Sequence, residues 1–373
     1  MFMTELVRIY LIGGFLGAGK TTAITAVAHY FQKQGRRVAV ITNDQTSGLV
    51  DSEIVRKCGV PYREICGACI CTQFRDFLET ADTLLQDIRP EIILAEPTGS
   101  CLDLIATVQK PLRTYTQDRY RVMPFSVLVD PLRLKEILPV PSNQLASTNW
   151  PEDIRYLYDY QIREADHLVV TKVDTVTAEE MQNSLRFLRE QYGTLKPRFP
   201  MHGISALTGY GLAEWMDALE TNANLESTPL VFDAARYVGA ESALGWVNLE
   251  AFARSPEGSN HDIDRVGLIQ GFLQRFQERT QNQPIGHLKL FVESQTQSLK
   301  ASMVDWRLGY SLDEWNSDSA EWKTPKKETR ILINVRAVHD PQRLLQDTIQ
   351  SLQEAATLQR VEIRISKQKA IHP

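Results

Sequence analysis

Apolar and polar positions alternate in blocks along about the first 220 residues. Short uninterrupted apolar runs, rich in β-branched side chains, predict six strands at 7–12, 38–42, 91–95, 124–129, 167–170 and 201–204. Between them, apolar residues recur at helical spacing in 23–34, 74–87 and 178–191. Strands that alternate with amphipathic helices predict an α/β fold, in which helices cover both faces of a mostly parallel sheet. Ligands of such sheets collect at the carboxyl ends of the strands.

The hydrophobic rhythm changes after a polar stretch at 221–229, which ends in proline and predicts a linker. Beyond it we predict strands at 244–252, 288–292, 299–304, 330–335 and 361–365, with helices at 262–280 and 341–358. Helices that interrupt antiparallel strands indicate a smaller α+β domain, for which a ferredoxin-like arrangement is one candidate. The total length of 373 residues also favours two domains, which we place at 1–222 and 230–373.

The charge composition narrows the range of partners. The chain has 41 basic and 46 acidic residues, a formal net charge of −5, and no basic block. This balance argues against nucleic acid or an anionic membrane as a partner. The amino terminus lacks the cationic start of a secretory signal, so we expect a cytoplasmic protein.

The first predicted strand runs directly into a glycine-rich loop with the sequence Gly14-x-x-x-x-Gly19-Lys20-Thr21. Gly14, Gly17 and Gly19 allow successive backbone N–H groups to turn toward one anion. Lys20 adds a positive charge at the β- and γ-phosphates, and the hydroxyl of Thr21 is a ligand for Mg²⁺. Nucleotide contacts are also expected from two neighbouring residues, Ala18 and Thr22. The pattern predicts a nucleoside-triphosphate phosphate loop.

A second loop follows the third predicted strand and reads Glu96-Pro97-Thr98-Gly99. Its carboxylate can hold Mg²⁺ through water, and the N–H of Gly99 can approach the γ-phosphate. Asp44, in the segment 43–48 after the second strand, is a candidate to assist the attacking water or Mg²⁺. We expect that segment to respond to the γ-phosphate. Lys20, Glu96 and Asp44 are therefore the predicted catalytic residues.

Two further loops are candidates for binding the base. Thr171-Lys172-Val173-Asp174 matches the guanine-reading pattern Asn-Lys-x-Asp except at its first residue. The carboxylate of Asp174 can accept hydrogen bonds from the ring N–H and exocyclic amine of guanine, whereas adenine presents the opposite polarity. Ser205 and Ala206 begin the other loop, whose backbone would support the guanine carbonyl. Each loop alone would also suit a helix cap.

Five cysteines, an odd number, indicate reduced thiols rather than a disulfide framework. Cys66, Cys69 and Cys71 lie within six residues and can converge on one thiophilic transition metal. A fourth ligand could come from Cys58, Glu64, Asp44 or His202. The alternative is that the three cysteines are small buried apolar residues. Cys101 is isolated in sequence, and we expect it to pack in the core or at a helix start.

Together these residues resemble the CobW-like family of P-loop GTPases, relatives of the urease- and hydrogenase-maturation GTPases. The resemblance extends over about the first 220 residues. The matching residues are 13–22, Asn43-Asp44, the cysteine cluster, 96–99, Asp130, Gln161-Ile-x-x-Ala-Asp166, 171–174 and 205–209. It implies GTP binding, slow hydrolysis tuned by metal, and delivery of Zn²⁺, Co²⁺ or a similar ion to a client protein.

The chain departs from the family pattern at three places. The family has Cys-x-Cys-Cys, whereas here Thr72 follows Cys71 and an additional cysteine, Cys66, lies upstream. Thr171 replaces the first residue of the base motif, and the carboxy-terminal domain has no histidine-rich tract. Two other functions fit the same motifs: a non-enzymatic adaptor that responds to nucleotide and metal, and an ATP-dependent small-molecule kinase.

Overall fold

The structure, a computed structural model, describes residues 6–44, 50–138, 149–193, 201–223, 228–256, 263–316 and 328–372. The chain divides into two compact units. The described residues of the first lie in 6–44 and 51–238, and those of the second comprise Val50 and 239–372. The domain boundaries predicted above stay a prediction.

The first unit is built on a parallel sheet. Its strands are β1 (Val7–Gly14), β2 (Val38–Asp44), β3 (Tyr62–Cys66), β4 (Ile92–Glu96), β5 (Tyr120–Val122), β6 (Ser126–Val129), β7 (His167–Val170) and β8 (Met201–Gly203). In the described residues the strand order is β3-β2-β4-β1-β6-β7-β8, with β5 also paired to β1, and every pair is parallel. The carboxyl ends of all these strands therefore lie at one edge of the sheet.

Helices connect these strands. They are α1 (Lys20–Lys33), α2 (Val50–Lys57), α3 (Phe74–Asp87), α4 (Lys110–Tyr115), α5 (Pro131–Ile137), α6 (Glu152–Glu164), α7 (Ala178–Tyr192), α8 (Leu212–Thr221) and α9 (Ala234–Ala243), the last of which crosses the division between the units. A π-helical turn at Ile105–Gln109 precedes α4. One core cluster packs apolar residues of α1 and α8, such as Val27 and Trp215, against buried strand residues such as Tyr10 and Leu94. The predicted fold of this unit is confirmed.

Two strands of this sheet were not predicted from sequence. In β3 only Ile65 is buried, because β3 is an edge strand and most of its side chains face solvent. Solvent exposure replaces the continuous apolar run with charged residues, so the pattern carries no strand signal. β5 has only three residues.

The second unit contains an antiparallel sheet and two helices. Its elements are β9 (Leu244–Arg254), α10 (Arg265–Thr280), β10 (Ile285–Glu293), β11 (Gln297–Asp305), β12 (Gly309–Asn316), β13 (Glu328–Val338), α11 (Pro341–Leu358) and β14 (Glu362–Ile371). The strand order in the described residues is β12-β11-β10-β13-β9-β14, with all neighbours antiparallel. Without the β11–β12 pair, the arrangement is the βαββαβ pattern of a ferredoxin-like sheet.

Alternation along the strands explains the core of this unit. Every second residue of β9, from Val247 to Ala253, belongs to a cluster with residues of α10 and α11 such as Phe272 and Leu352. β12 was not predicted, because its alternating polar side chains are mostly exposed. Within the described ranges, no helix is both long enough and apolar enough to span a bilayer.

Candidate nucleotide and metal site

The glycine-rich loop has the backbone conformation that its sequence predicts. Gly14, Gly17 and Gly19 have φ angles of 133°, 78° and 86°. These angles lie in the left-handed region, which side chains other than glycine rarely adopt. A Cβ atom at Gly14 would also lie 2.5 Å from the carbonyl oxygen of Leu128. The loop therefore requires glycine for both conformation and space.

Lys20 begins α1, and its side chain folds back along the loop. Its Nζ donates to the carbonyl oxygens of Gly14 at 2.9 Å and Phe15 at 3.3 Å. The side chain is buried, so the ammonium group is already positioned in the concave face of the loop. Thr22, in the first turn of the helix, is half-buried.

The two side chains predicted as magnesium ligands are in contact. The hydroxyl of Thr21 donates to both carboxylate oxygens of Glu96, at 3.0 and 2.9 Å. Both residues are buried at the carboxyl edge of the sheet. Mg²⁺ prefers oxygen ligands of this kind, so these residues fit the ion chemically. The side chain of Asp44 lies outside the described residues, and its role stays a prediction.

Gly99 lies against the phosphate loop. A Cβ atom there would be 2.6 Å from Cδ2 and 3.1 Å from the backbone N of Leu16. The close approach brings the loop that follows Glu96 into direct contact with the phosphate loop. Ser100, the next residue, is buried.

The base motif is tied to the phosphate loop through two of its residues. The hydroxyl of Thr171 donates to the carbonyl of Ala18 at 2.9 Å. Lys172, with a φ of 54°, places Nζ 2.7 Å from the carbonyl of Gly17 and 2.7 Å from a carboxylate oxygen of Asp130. Asp130 is buried, so this pair is shielded from solvent on one side. Thr171, which stands where the base motif usually has asparagine, thus connects this motif to the phosphate loop.

The remaining base residues lie in the neighbouring loops. Asp174 is exposed in a short 3₁₀ turn, Val173–Thr175. Ser205 is buried after β8, and its hydroxyl accepts a hydrogen bond from the N–H of Thr208 at 3.2 Å. Ala206 follows and is half-buried. Because β7 and β8 are adjacent and parallel, both loops leave the same edge of the sheet.

The thiol cluster differs from the predicted one in one member. Within the part of the chain that the structure describes, Cys69, Cys71 and Cys101 have sulfur atoms that all lie within 4.8 Å of one another. Cys66 is not in this group, because it ends β3 at an exposed position and Gly67, with a φ of 105°, turns the chain after it. Cys101 is buried, as expected of a core residue, and it also lies beside the other two thiols, which the sequence did not predict.

The three thiols have different proton affinities. Burial by itself raises the pKa of Cys69, but hydrogen bonds from Cys101, Cys71 and Thr98 outweigh it and hold that pKa well below its usual range. A hydrogen bond from Cys101 lowers the pKa of Cys71, yet the contact with Cys69 and burial together raise it. Burial, followed by the contact with Cys69, raises the pKa of Cys101. These directions favour loss of a proton at Cys69 before Cys71 or Cys101, and metal binding would require the thiols to lose their protons.

Of the proposed fourth ligands, the three whose side chains the structure describes, Cys58, Glu64 and His202, do not join the thiols. Glu64 accepts a hydrogen bond from the hydroxyl of Ser52 at 2.8 Å. His202 stacks on His167, with ring centroids 6.0 Å apart. The grouping therefore consists of three sulfur ligands.

This fold, phosphate loop and glutamate-bearing strand define a P-loop nucleotide-binding protein with a thiol cluster at the nucleotide edge. A family model described as the nucleotide-binding domain of CobW/HypB/UreG matches residues 8–201. The chain belongs to the CobW/HypB/UreG family, a group of P-loop NTPases, and the resemblance inferred from the sequence is confirmed.

Two curated relatives are named as zinc chaperones. The chain is 29% identical over 208 residues to zinc chaperone CobW of Sinorhizobium sp, a match that covers 51% of this chain and 56% of the relative. It is 34% identical over 114 residues to zinc chaperone YeiR of Escherichia coli (strain K12), covering 28% of this chain and 34% of the relative. The chain thus spans about half of one relative's length and a third of the other's.

Among solved structures, a similar one is HypB from Helicobacter pylori in complex with nickel. Its sequence identity is 19% and its TM-score 0.41, over 61% of this chain and 92% of that chain.

Proposed function

We propose that this protein is a GTP-hydrolysing metallochaperone that binds a thiophilic transition metal, Zn²⁺ or Co²⁺, and delivers it to a client protein. The observation that carries the proposal is the place of Cys101. It lies five residues after Glu96, on the loop that also contains Gly99. One short loop therefore carries a candidate metal ligand and residues of the nucleotide site. The names of the zinc chaperones support the same cargo.

The spacing of the sulfur atoms supports a shared ion. Two sulfur ligands of one zinc, each about 2.3 Å from it, lie about 3.8–4.0 Å apart. The three sulfurs lie within 4.8 Å of one another, so a movement of about 1 Å would bring them onto one ion. Three protein ligands leave one coordination position open, which suits uptake and release of cargo. Such thiols require a reducing compartment, and we place the protein in the cytoplasm.

In the proposed nucleotide site, the backbone of the phosphate loop and Lys20 hold the phosphates. Thr21 and Glu96 hold Mg²⁺, which neutralises charge on the β- and γ-phosphates. The N–H of Gly99 would approach the γ-phosphate, and the packing of Gly99 on Leu16 of the phosphate loop supports this role. Ser100 occupies the place where some GTPases have a glutamine that orients water, so intrinsic turnover should be slow. Asp44 is the proposed assisting residue.

Guanine is the proposed base. Asp174 is exposed at the edge where the loops after β7 and β8 leave the sheet, and its carboxylate complements the two N–H donors of guanine. Lys172 would lie along the base while its ammonium stays on the carbonyl of Gly17 and on Asp130.

Calorimetry tests the guanine proposal. We expect GTP to bind far more tightly than ATP, and Asp174→Asn to remove about 100-fold or more of that preference, because a donor then faces a donor. Asn183→Asp, the same change at a half-buried residue of α7 outside the base motif, is the control. Equal affinity for GTP and ATP in the wild type would reject base recognition by Asp174.

Metal analysis and phosphate release test the carrier proposal. Purified protein should retain Zn²⁺ or Co²⁺ to different extents with a non-hydrolysable GTP analogue and with GDP, and Lys20→Ala should abolish phosphate release. Transfer of the γ-phosphate to a small acceptor would indicate a kinase instead. Nucleotide binding without phosphate release would indicate an adaptor.

A further inference from the structure

A buried asparagine holds the loop that carries Cys69 and Cys71. Asn43, the penultimate residue of β2, donates from Nδ2 to the carbonyls of Ile65 at 3.1 Å and Ala68 at 2.8 Å. Its Oδ1 accepts from the N–H of Ile70 at 2.9 Å. One side chain therefore makes one hydrogen bond to the end of β3 and two to the loop between β3 and α3, residues 67–73, which we call the cysteine loop.

The sheet order explains why a support is needed there. β2 lies between β3, which leads into the cysteine loop, and β4, which leads toward Cys101. The cysteine loop must pass over the end of β2 for the thiols to meet. Asn43 lies at that end, next to Asp44, the last residue of β2.

A buried glutamine holds the loop that carries Cys101. Gln161, on α6, donates from Nε2 to the carbonyls of Gly99 at 3.0 Å and Cys101 at 3.0 Å. Its Oε1 is buried and has no hydrogen-bond partner among the described residues. A buried amide oxygen without a hydrogen-bond partner destabilises the folded protein. The favourable contribution of the Gln161 side chain therefore comes from the two hydrogen bonds that its Nε2 donates.

We infer that Asn43 and Gln161 are positioning residues of the metal site: their amides set the geometry in which the three thiols meet. This inference rests on the proposed metal binding. Asparagine can donate two hydrogen bonds and accept others, whereas aspartate cannot donate, so the three contacts of Asn43 require an amide. Both side chains are buried, and their hydrogen bonds are therefore shielded from competing water.

The positions of the two residues also connect the thiols to the nucleotide site. Asn43 supports the cysteine loop from the strand that ends at Asp44. Gln161 holds Gly99 and Cys101 with the same amide group, so neither can move far without the other. Gly99 in turn packs on Leu16 of the phosphate loop. Gln161 and Gly99 thus form a continuous set of contacts between the phosphate loop and Cys101.

Titration with Co²⁺ tests this inference, because its visible absorption reports thiolate ligation and coordination geometry. The variants are Asn43→Asp, which loses two donors, and Gln161→Met, which loses the amide at similar volume. We expect each to bind Co²⁺ about 10- to 100-fold more weakly, with shifted ligand-field bands. The added carboxylate of Asn43→Asp would by itself favour a cation, so weaker binding would not come from its charge.

Asn222→Asp is the matched control. Asn222 donates to the carbonyl of Ala218 at 2.8 Å, in the same kind of amide-to-backbone contact, near the end of α8. Its Co²⁺ affinity and spectrum should equal those of the wild type. Thermal unfolding of each variant shows whether it is folded, and if Asn43→Asp does not fold, Gln161→Met decides.

The outcomes separate the two proposals. If the wild type shows no sulfur-to-cobalt absorption, the proposed metal function fails. If the wild type binds Co²⁺ and both folded variants bind it with the same affinity and spectrum, the positioning inference is overturned and metal binding stands.

Discussion

Replacing Cys101 by serine tests which three cysteines bind the metal: Cys69, Cys71 and Cys101, which are grouped in the structure, or Cys66, Cys69 and Cys71, which the sequence suggested. The substitution exchanges sulfur for oxygen at a fully buried position, so the shape of the loop should change little. The remaining cluster would be Cys69 and Cys71. The change therefore removes one of three sulfur ligands while the phosphate loop and Glu96 stay intact.

The magnitude follows from the number of ligands. Structural zinc sites with four ligands bind with about 10–16 kcal/mol of free energy, or about 2.5–4 kcal/mol for each ligand. At 1.4 kcal/mol for each factor of ten, loss of one thiolate should weaken metal binding by about 100- to 1,000-fold. Serine is a poor substitute because thiophilic ions prefer thiolate to hydroxyl ligands.

The assay is competition for Zn²⁺ against a chromophoric chelator under reducing conditions. Cys66→Ser is the matched control, since Cys66 is exposed and lies outside the group of three sulfurs. We expect Cys66→Ser to change affinity by less than about threefold, which is below 1 kcal/mol. The reverse result, with a large effect at Cys66 and none at Cys101, would refute the cluster as the site of the cargo.

Two further predictions concern other parts of the first unit. Thr171→Val removes the hydrogen bond to Ala18 at nearly constant volume and should weaken nucleotide binding about three- to tenfold by calorimetry, as expected for about 1 kcal/mol; unchanged affinity would mean that this contact does not support the phosphate loop. Burial, then the nearby His202, lowers the pKa of His167 to about 4 from 6.5, so the native state keeps this ring neutral while the unfolded chain takes up a proton below pH 6.5. Native stability should therefore fall between pH 6.5 and 4, by about 2 kcal/mol at pH 5 from this residue alone. Urea unfolding of His167→Phe should show a smaller loss than the wild type over that range, and parallel curves would contradict the assignment.

Local patterns were sufficient to predict that the candidate nucleotide loops lie at one edge of the sheet. The phosphate loop, Glu96 and the base motif each follow a buried apolar strand, and in a parallel sheet the carboxyl ends of such strands meet at one edge. Their residues are also close in sequence, so the spacing alone indicates the chemistry. Of the strands missed, β3 and β12 have mostly exposed side chains and no continuous apolar run, and β5 has only three residues.

The composition of the thiol cluster depends on long-range order and was not predictable in this way. Cys71 and Cys101 are 30 residues apart. They meet because β2 is inserted between β3 and β4 in the sheet, and because the cysteine loop crosses the end of β2. Because Cys66 is close in sequence to Cys69 and Cys71, it was predicted as the third thiol. The turn at Gly67 leaves Cys66 outside the group of three sulfurs. The signal that could have identified Cys101 is its place two residues after Gly99, on a loop that must lie at the nucleotide edge.

A shared loop has a thermodynamic consequence for any carrier of this kind. If GTP changes metal affinity by a given factor, metal must change GTP affinity by the same factor. An ion that binds equally well in the GTP and GDP states cannot be released by hydrolysis, however tightly it is held. The relevant quantity for delivery is therefore the ratio of the two affinities. If this chain is such a carrier, we expect that ratio to depend on how far the loop from Glu96 to Cys101 moves when the γ-phosphate leaves, because candidate residues for both ligands lie on that loop.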